Sequence, residues 1–231
     1  MKIKFHHIVI GLIISICAFS NLYSHTGHYK NIKVIEMDVY RNGEIIGYSN
    51  YLFKNYENIF EVVNETKFEV KIAGVKIFSI KSISKEKYQN DQLIEFNSET
   101  MQNDKKKFVN LVYDKSSEFF IINGSSYKGK ADKDLIIGTW WNHEIVQKKA
   151  QISAVSGRII EQKVEFIGKE DVRIGDKTYK TLRFNFSSSD PSLSKDKKLN
   201  TDIWYEEDTF LWVKAAFDKT GYWEYRLKKV K

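Results

Sequence analysis

The chain has 231 residues, 42% hydrophobic and 14% aromatic, and its 37 Lys and Arg outnumber its 30 Asp and Glu for a formal charge of +7. A single Pro and a single Cys exclude a collagen-like chain and a disulfide-stapled miniprotein, and the apolar content excludes a low-complexity disordered one. What remains is a chain long enough to bury a substantial core in one domain.

Residues 1–24 read as a secretory signal peptide. Lys2 and Lys4 give the positive start, Ile8 to Phe19 is mostly apolar, and small residues follow at Ala18 and Ser20. The apolar run is short of the roughly 20 residues a membrane-spanning helix needs. A lipoprotein signal would carry a small residue before Cys17, and Ile16 stands there. Cleavage leaves a single domain over residues 25–231 with no cysteine, which removes disulfides, thiolate catalysis and Cys-ligated metals. It also lowers the charge from +7 to +5, since residues 1–24 contain two lysines and no acid. A surplus that small on a domain this large is not a nucleic-acid signature. The expected fate is export across the inner membrane.

The mature chain alternates apolar and polar residues almost throughout. Ile35, Met37 and Val39 share one face, and Asn42-Gly43 then leads into Glu44 to Phe53, a two-residue hairpin with the residues a type I′ turn requires. Phe68, Val70 and Ile72 alternate with Glu69 and Lys71, Gly74 breaks the run, and Val75 and Ile77 resume it. Leu93 to Met101 and Lys107 to Tyr113 pair around Asn103-Asp104; Glu118 to Ile122 ends at Asn123-Gly124. Trp141 to Ile152 is the one stretch whose spacing allows a short helix, with Trp141, Ile145 and Ile152 on one side. Arg158 to Ile167, Lys177 to Phe186 and a terminal meander over Asp202–Glu206, Phe210–Phe217 and Tyr222–Leu227 complete the pattern. The loop Ser187 to Asn200 carries Pro191 and a charged run. These signals predict an all-β fold: one antiparallel, strongly curved sheet, a barrel-like or half-barrel meander with at most one short helix. Alternation alone leaves open whether the interior is a ligand cavity or is filled by Phe, Tyr and Trp. A membrane-spanning barrel is disfavoured by Glu69, Lys71, Arg183, Glu224 and Arg226 at outward positions, where lipid would penalise charge.

Three near-motifs fall short of chemistry. Residues 124–131 nearly spell a phosphate-binding loop, but Ala131 replaces the magnesium-binding hydroxyl. His143-Glu144 nearly opens a metalloprotease helix, but Gln147 stands where the second histidine belongs. His25 and His28 form a short tail that could meet copper only at a free N-terminus. Paired-carboxylate chemistry has candidates in Glu144, Glu161, Glu165 and Glu170, with no spacing that marks two of them. No cofactor and no metal is implied.

Gly138-Thr139-Trp140-Trp141-Asn142, Ser156-Gly157, Lys177 to Phe184, Ile203-Trp204-Tyr205 and Gly221 to Leu227, together with the Val34 to Phe53 hairpin unit, carry a resemblance in their order. The chain resembles domain of unknown function 6134, a family of uncharacterised exported proteins of Gram-negative bacteria similar to the wider domain of unknown function 3108. The resemblance implies an exported all-β protein and brings no catalytic residue. Within it Trp140, Trp141, Asn142 and His143 are the candidate ligand-binding residues, as the lining of a pocket mouth. The competing reading of the same residues is packing: Trp closes one end of the barrel and Asn satisfies a buried turn. The expected function is non-enzymatic binding of an apolar or amphipathic ligand, such as a lipid, or of an envelope partner. A structural or assembly role without a pocket, and a hydrolase with paired carboxylates, are the alternatives.

Overall fold

Asn42 and Gly43 take φ angles of 51° and 87°, the left-handed pair that lets two twisted strands meet across two residues. The same device recurs at Ala73-Gly74 and Asn90-Asp91, with φ of 50° and 78°, and of 49° and 63°. The chain is thereby folded back on itself without helices. The computed structural model describes Tyr29, residues 31–194 and residues 197–231. The expected signal peptide, His25 and His28 lie outside these, as do Lys195 and Asp196 of the Ser187 to Asn200 loop.

In chain order the strands are β1 (Val34–Arg41), β2 (Glu44–Tyr56), β3 (Ile59–Ile72), β4 (Val75–Gln89), β5 (Gln92–Gln102), β6 (Lys105–Asp114), β7 (Phe119–Gly124), β8 (Lys128–Asp132), β9 (Ile136–Ile137), β10 (Ala150–Ile152), β11 (Ile159–Ile174), β12 (Lys177–Ser188), β13 (Asn200–Glu206), β14 (Trp212–Asp218) and β15 (Tyr222–Val230). They form one sheet in the order β8-β7-β6-β5-β4-β3-β2-β1-β15-β14-β13-β12-β11-β10-β9. The N- and C-terminal strands β1 and β15 therefore pair in its middle, from Ile35 opposite Val230 to Arg41 opposite Trp223.

The sheet curls but does not close. Its two edge strands, β8 and β9, are separated in sequence by residues 133–135 alone, so three residues cross the seam without a ladder. The β10–β11 loop seals part of the gap. Ser126 donates its backbone N–H to Ser156 O at 2.9 Å, and the Ser98 hydroxyl donates to Ala154 O. Gly124 is needed here: a Cβ on it would stand 2.6 Å from Ser156 O.

The expected all-β, barrel-like sheet is what forms, with three differences in detail. The helix expected within Trp141 to Ile152 shrinks to a 3-10 helix over His143–Gln147, because Ala150–Ile152 is recruited as β10. That strand pairs parallel with β9, Gln151 opposite Ile136, the one parallel pair in a sheet read as antiparallel. Glu224 does point to the outer face, yet it is covered there: it accepts from Lys214 Nζ at 2.9 Å and from Arg226 Nη2 at 2.5 Å.

The inner face carries two apolar clusters. The larger includes Tyr29, Phe53, Phe60, Phe96, Trp141, Tyr205 and Trp212. The smaller, toward the Asn42-Gly43 and Ala73-Gly74 turns, holds Val39, Phe68, Val70 and Trp223. Between them runs a belt of small polar side chains on β2 to β5. Ser49 and Thr66 hydroxyls lie 2.7 Å apart, Asn64 donates to Ser49 at 3.1 Å, and Ser82 meets Thr100 at 2.7 Å. These hydroxyls are satisfied across the strands, which is what permits polar residues on a core face.

Candidate functional site

The segment from Gly138 to Asn142 crosses the inside of the curl between β9 and the 3-10 helix. Asn142 is the N-cap, its side-chain oxygen accepting from Glu144 N at 3.1 Å. This cap turns the chain so that Trp141 points into the larger core and Trp140 toward β14 and β15. Trp141 is fully buried. Tyr29, Phe53, Phe60 and Tyr88 surround it with ring centroids 5.2 to 6.0 Å away. Three of those contacts are edge-to-face, the geometry that aromatic quadrupoles favour. Trp140 is half-buried and meets Trp212 and Tyr225 edge-on at 5.5 and 5.2 Å. Its carbonyl accepts from the Tyr205 hydroxyl at 2.9 Å. His143 is buried and stacks on Phe210 at 4.9 Å.

At the centre of this packing stands an acid that the sequence did not single out. Glu86 is 1% exposed. One carboxylate oxygen accepts from the Trp141 indole N–H and the Thr139 hydroxyl, both at 3.0 Å. The other accepts from the Tyr88 hydroxyl at 2.5 Å. Burial pushes the Glu86 carboxyl above its ordinary range, and the three donors only partly offset that. Burial likewise pushes the Tyr88 hydroxyl well up, with the Glu86 charge adding to it. The available signal was register: Glu86 falls in phase with Ser84 and Tyr88 on the inward face of β4, two positions from each.

The chemistry of this cluster is that of a fastener. A general acid must come within hydrogen-bond reach of a substrate, and the Glu86 oxygens are reached by the protein's own donors. The other acids named in the sequence are dispersed, with Glu161, Glu165 and Glu170 exposed along β11. The near phosphate-binding loop is the turn joining β7 to β8, where the Tyr127 hydroxyl donates to Lys130 O.

Accessible concavity lies on the opposite side of the sheet. A groove of about 540 Å³ runs over the outer face of β2 to β5, with Tyr48, Lys67, Glu69, Lys76, Lys81 and Met101 in its lining. A second hollow of about 310 Å³ adjoins it, shares Lys81 and Met101, and adds Glu65, Glu99 and Lys106. None of Trp140, Trp141, Asn142 and His143 lines either. Lys67 stands directly opposite Lys81 across β3 and β4, and like charges so placed repel. Among the described residues no carboxylate lies within 4 Å of Lys67, Lys76 or Lys81. Sequence reasoning missed this groove because cross-strand register is invisible in a linear chain.

A curved, mostly antiparallel sheet, not closed but packed around its own rings, defines a β-barrel-like protein. The chain belongs to the DUF6134 family, a domain of unknown function, which matches residues 37–228. Among solved structures it is similar to a β-barrel-like protein of domain of unknown function DUF1849 from Brucella abortus. The TM-score is 0.60 at 10% identity, over 87% of this chain and 97% of that one. A weaker likeness, TM-score 0.36 at 17% identity over 86% of this chain and 94% of that one, is to a "putative lipoprotein" from Parabacteroides distasonis. No curated protein matches the chain. Among the described residues no helix is long and apolar enough to cross a membrane.

Proposed function

We propose that this is a non-enzymatic protein of the Gram-negative envelope, exported to the periplasm by residues 1–24, that binds an amphipathic ligand or an envelope partner on the outside of its curved sheet. The observation that carries this reading is the use of the interior. Trp141 and the four rings around it occupy the space that a ligand-carrying barrel of this kind would leave open. The outer groove over β2 to β5 is an open concavity, and it combines apolar side chains with three lysines and one acid in the manner of a site for an amphipath. In this reading Trp140, Trp141, Asn142 and His143 hold the sheet's curvature, and their contribution to binding is indirect.

Native mass spectrometry of the protein isolated from the periplasm tests it. A copurifying ligand or partner is expected, lost in a Tyr48→Ala, Met101→Ala variant and kept in Glu86→Gln. A ligand that survives the groove substitutions and disappears with Trp140→Ala would place binding inside the curl and overturn the reading.

A further inference from the structure

We infer that the β3–β4 hairpin tip docks on an anionic lipid surface; the inference rests on the outer-face reading above and names the partner. The tip is a projection. The last β2 residue paired with β3 is Gly47, opposite Phe68, and the last β5 residue paired with β4 is Gln102, opposite Ile80. Residues 69–79 therefore extend beyond both flanking strands, held from the side by Asn103, which exchanges two hydrogen bonds with the Ser79 backbone. A two-stranded ribbon alone is marginal in water, and this one exposes apolar side chains at its end. Ile72 is 54% exposed, Val75 64% and Ile77 47%, with Ile45 of the neighbouring turn at 61%.

Charge completes the pattern. Residues 67–81 contain Lys67, Lys71, Lys76 and Lys81 against one acid, Glu69. Glu69 pairs with Lys71 at 3.0 Å, which leaves the other three lysines directed at the groove and the tip without a carboxylate partner. Apolar side chains at a projecting end, with Lys76 among them and Lys67 and Lys81 four to five residues behind, match the layering of a bilayer: acyl chains first, headgroup phosphates next. The same lysines are mutually repulsive in water and neutralised against phosphate, so charge complementarity favours a lipid surface over a second copy of this chain, whose tip would bring four more lysines.

The test is vesicle flotation of the exported protein, its intact mass first showing that the leader is gone. Binding is expected to phosphatidylcholine vesicles containing one quarter phosphatidylglycerol, to fall in high salt, and to be absent with phosphatidylcholine alone. Lys76→Glu and Lys81→Glu should each weaken it at least about fivefold. Val75→Asp with Ile77→Asp should abolish it, while Val112→Asp, an exposed position on β6, should not change it; circular dichroism verifies that each variant folds. Equal binding to both vesicle types, tip variants that bind like the parent, or concentration-dependent dimerisation through the tip in place of flotation would each overturn the inference. A ligand retained by the groove in the native mass spectrum while vesicles are ignored would sink the lipid surface alone. Absence of both would remove the outer-face reading as well.

Discussion

Glu86 is the residue whose replacement discriminates best between a fastener and a reactive site. Alanine there removes the acceptor of three buried donors. The Thr139 and Tyr88 hydroxyls can rotate, but the Trp141 indole N–H is fixed by the four rings around it. One orphaned buried donor costs about 1–3 kcal/mol, and the cavity left by the side chain adds about 1–2 kcal/mol. A loss of roughly 2–5 kcal/mol is a large share of the ~5–15 kcal/mol that folded domains possess. With a urea slope near 2 kcal/mol/M, the midpoint should fall by about 1–2.5 M. Glutamine is different. It keeps an oxygen for Trp141 and Thr139 and offers an N–H to the Tyr88 oxygen, so below the carboxyl's ordinary titration range it should match the parent within ~1 kcal/mol. Because the folded carboxyl titrates above its unfolded value, its stabilisation is complete at acid pH and is lost as pH rises through the folded value. The Gln variant lacks that loss. Its stability relative to the parent should therefore climb with pH, at up to ~1.4 kcal/mol per pH unit between the unfolded and the folded carboxyl values, and level off once the folded carboxyl ionises. Urea titrations followed by Trp fluorescence across the acid-to-neutral range measure this. A Gln variant as damaged as Ala, or a Gln-to-parent difference flat in pH, would refute the account of a buried carboxyl fastener.

Asn142→Ala removes the 3-10 helix cap and should cost about 1–2 kcal/mol, read as a lowered thermal midpoint; unchanged melting with lost ligand would instead return Asn142 to the binding machinery. Glu224→Gln should steepen no acid transition but flatten one. Burial raises the Glu224 carboxyl, hydrogen bonds from Arg226 and Lys214 outweigh that, and the net shift is downward. Its stabilisation is therefore present above the ordinary carboxylate range and fades as pH falls through the folded value, a loss the Gln variant should not show in acid titration. Gly124→Ala should open the seam, since the new methyl would stand 2.6 Å from Ser156 O and 3.1 Å from Gly157 Cα, both backbone. A loss above about 2 kcal/mol, with faster proteolysis of residues 153–158, is the expected result.

The hairpins were legible because their turn chemistry is local. Asn42-Gly43 specifies a left-handed pair whatever surrounds it, and period-two alternation assigns Ile35, Met37 and Val39 to one face before any partner is known. Trp141 and Asn142 stood out in the sequence, which left open whether they line a pocket mouth or pack; the buried Trp141 ring and the Asn142 cap are visible only in the fold. The short strand β10 was not, because Ala150–Ile152 is drawn into the sheet by Ile136 and Ile137, a pairing that no local signal encodes.

What the sequence determined by itself is the class of fold, most of the longer strands and the faces they present, because these follow from nearest-neighbour sterics and from which side chains avoid water. Tertiary structure alone decided the rest: that three residues cross the seam between β8 and β9, that Glu86 meets Trp141 and Thr139 more than fifty positions away, and that Lys67 confronts Lys81 above a groove. Those are properties of register and curvature, which are set by the whole sheet's twist and packing and by no segment of it.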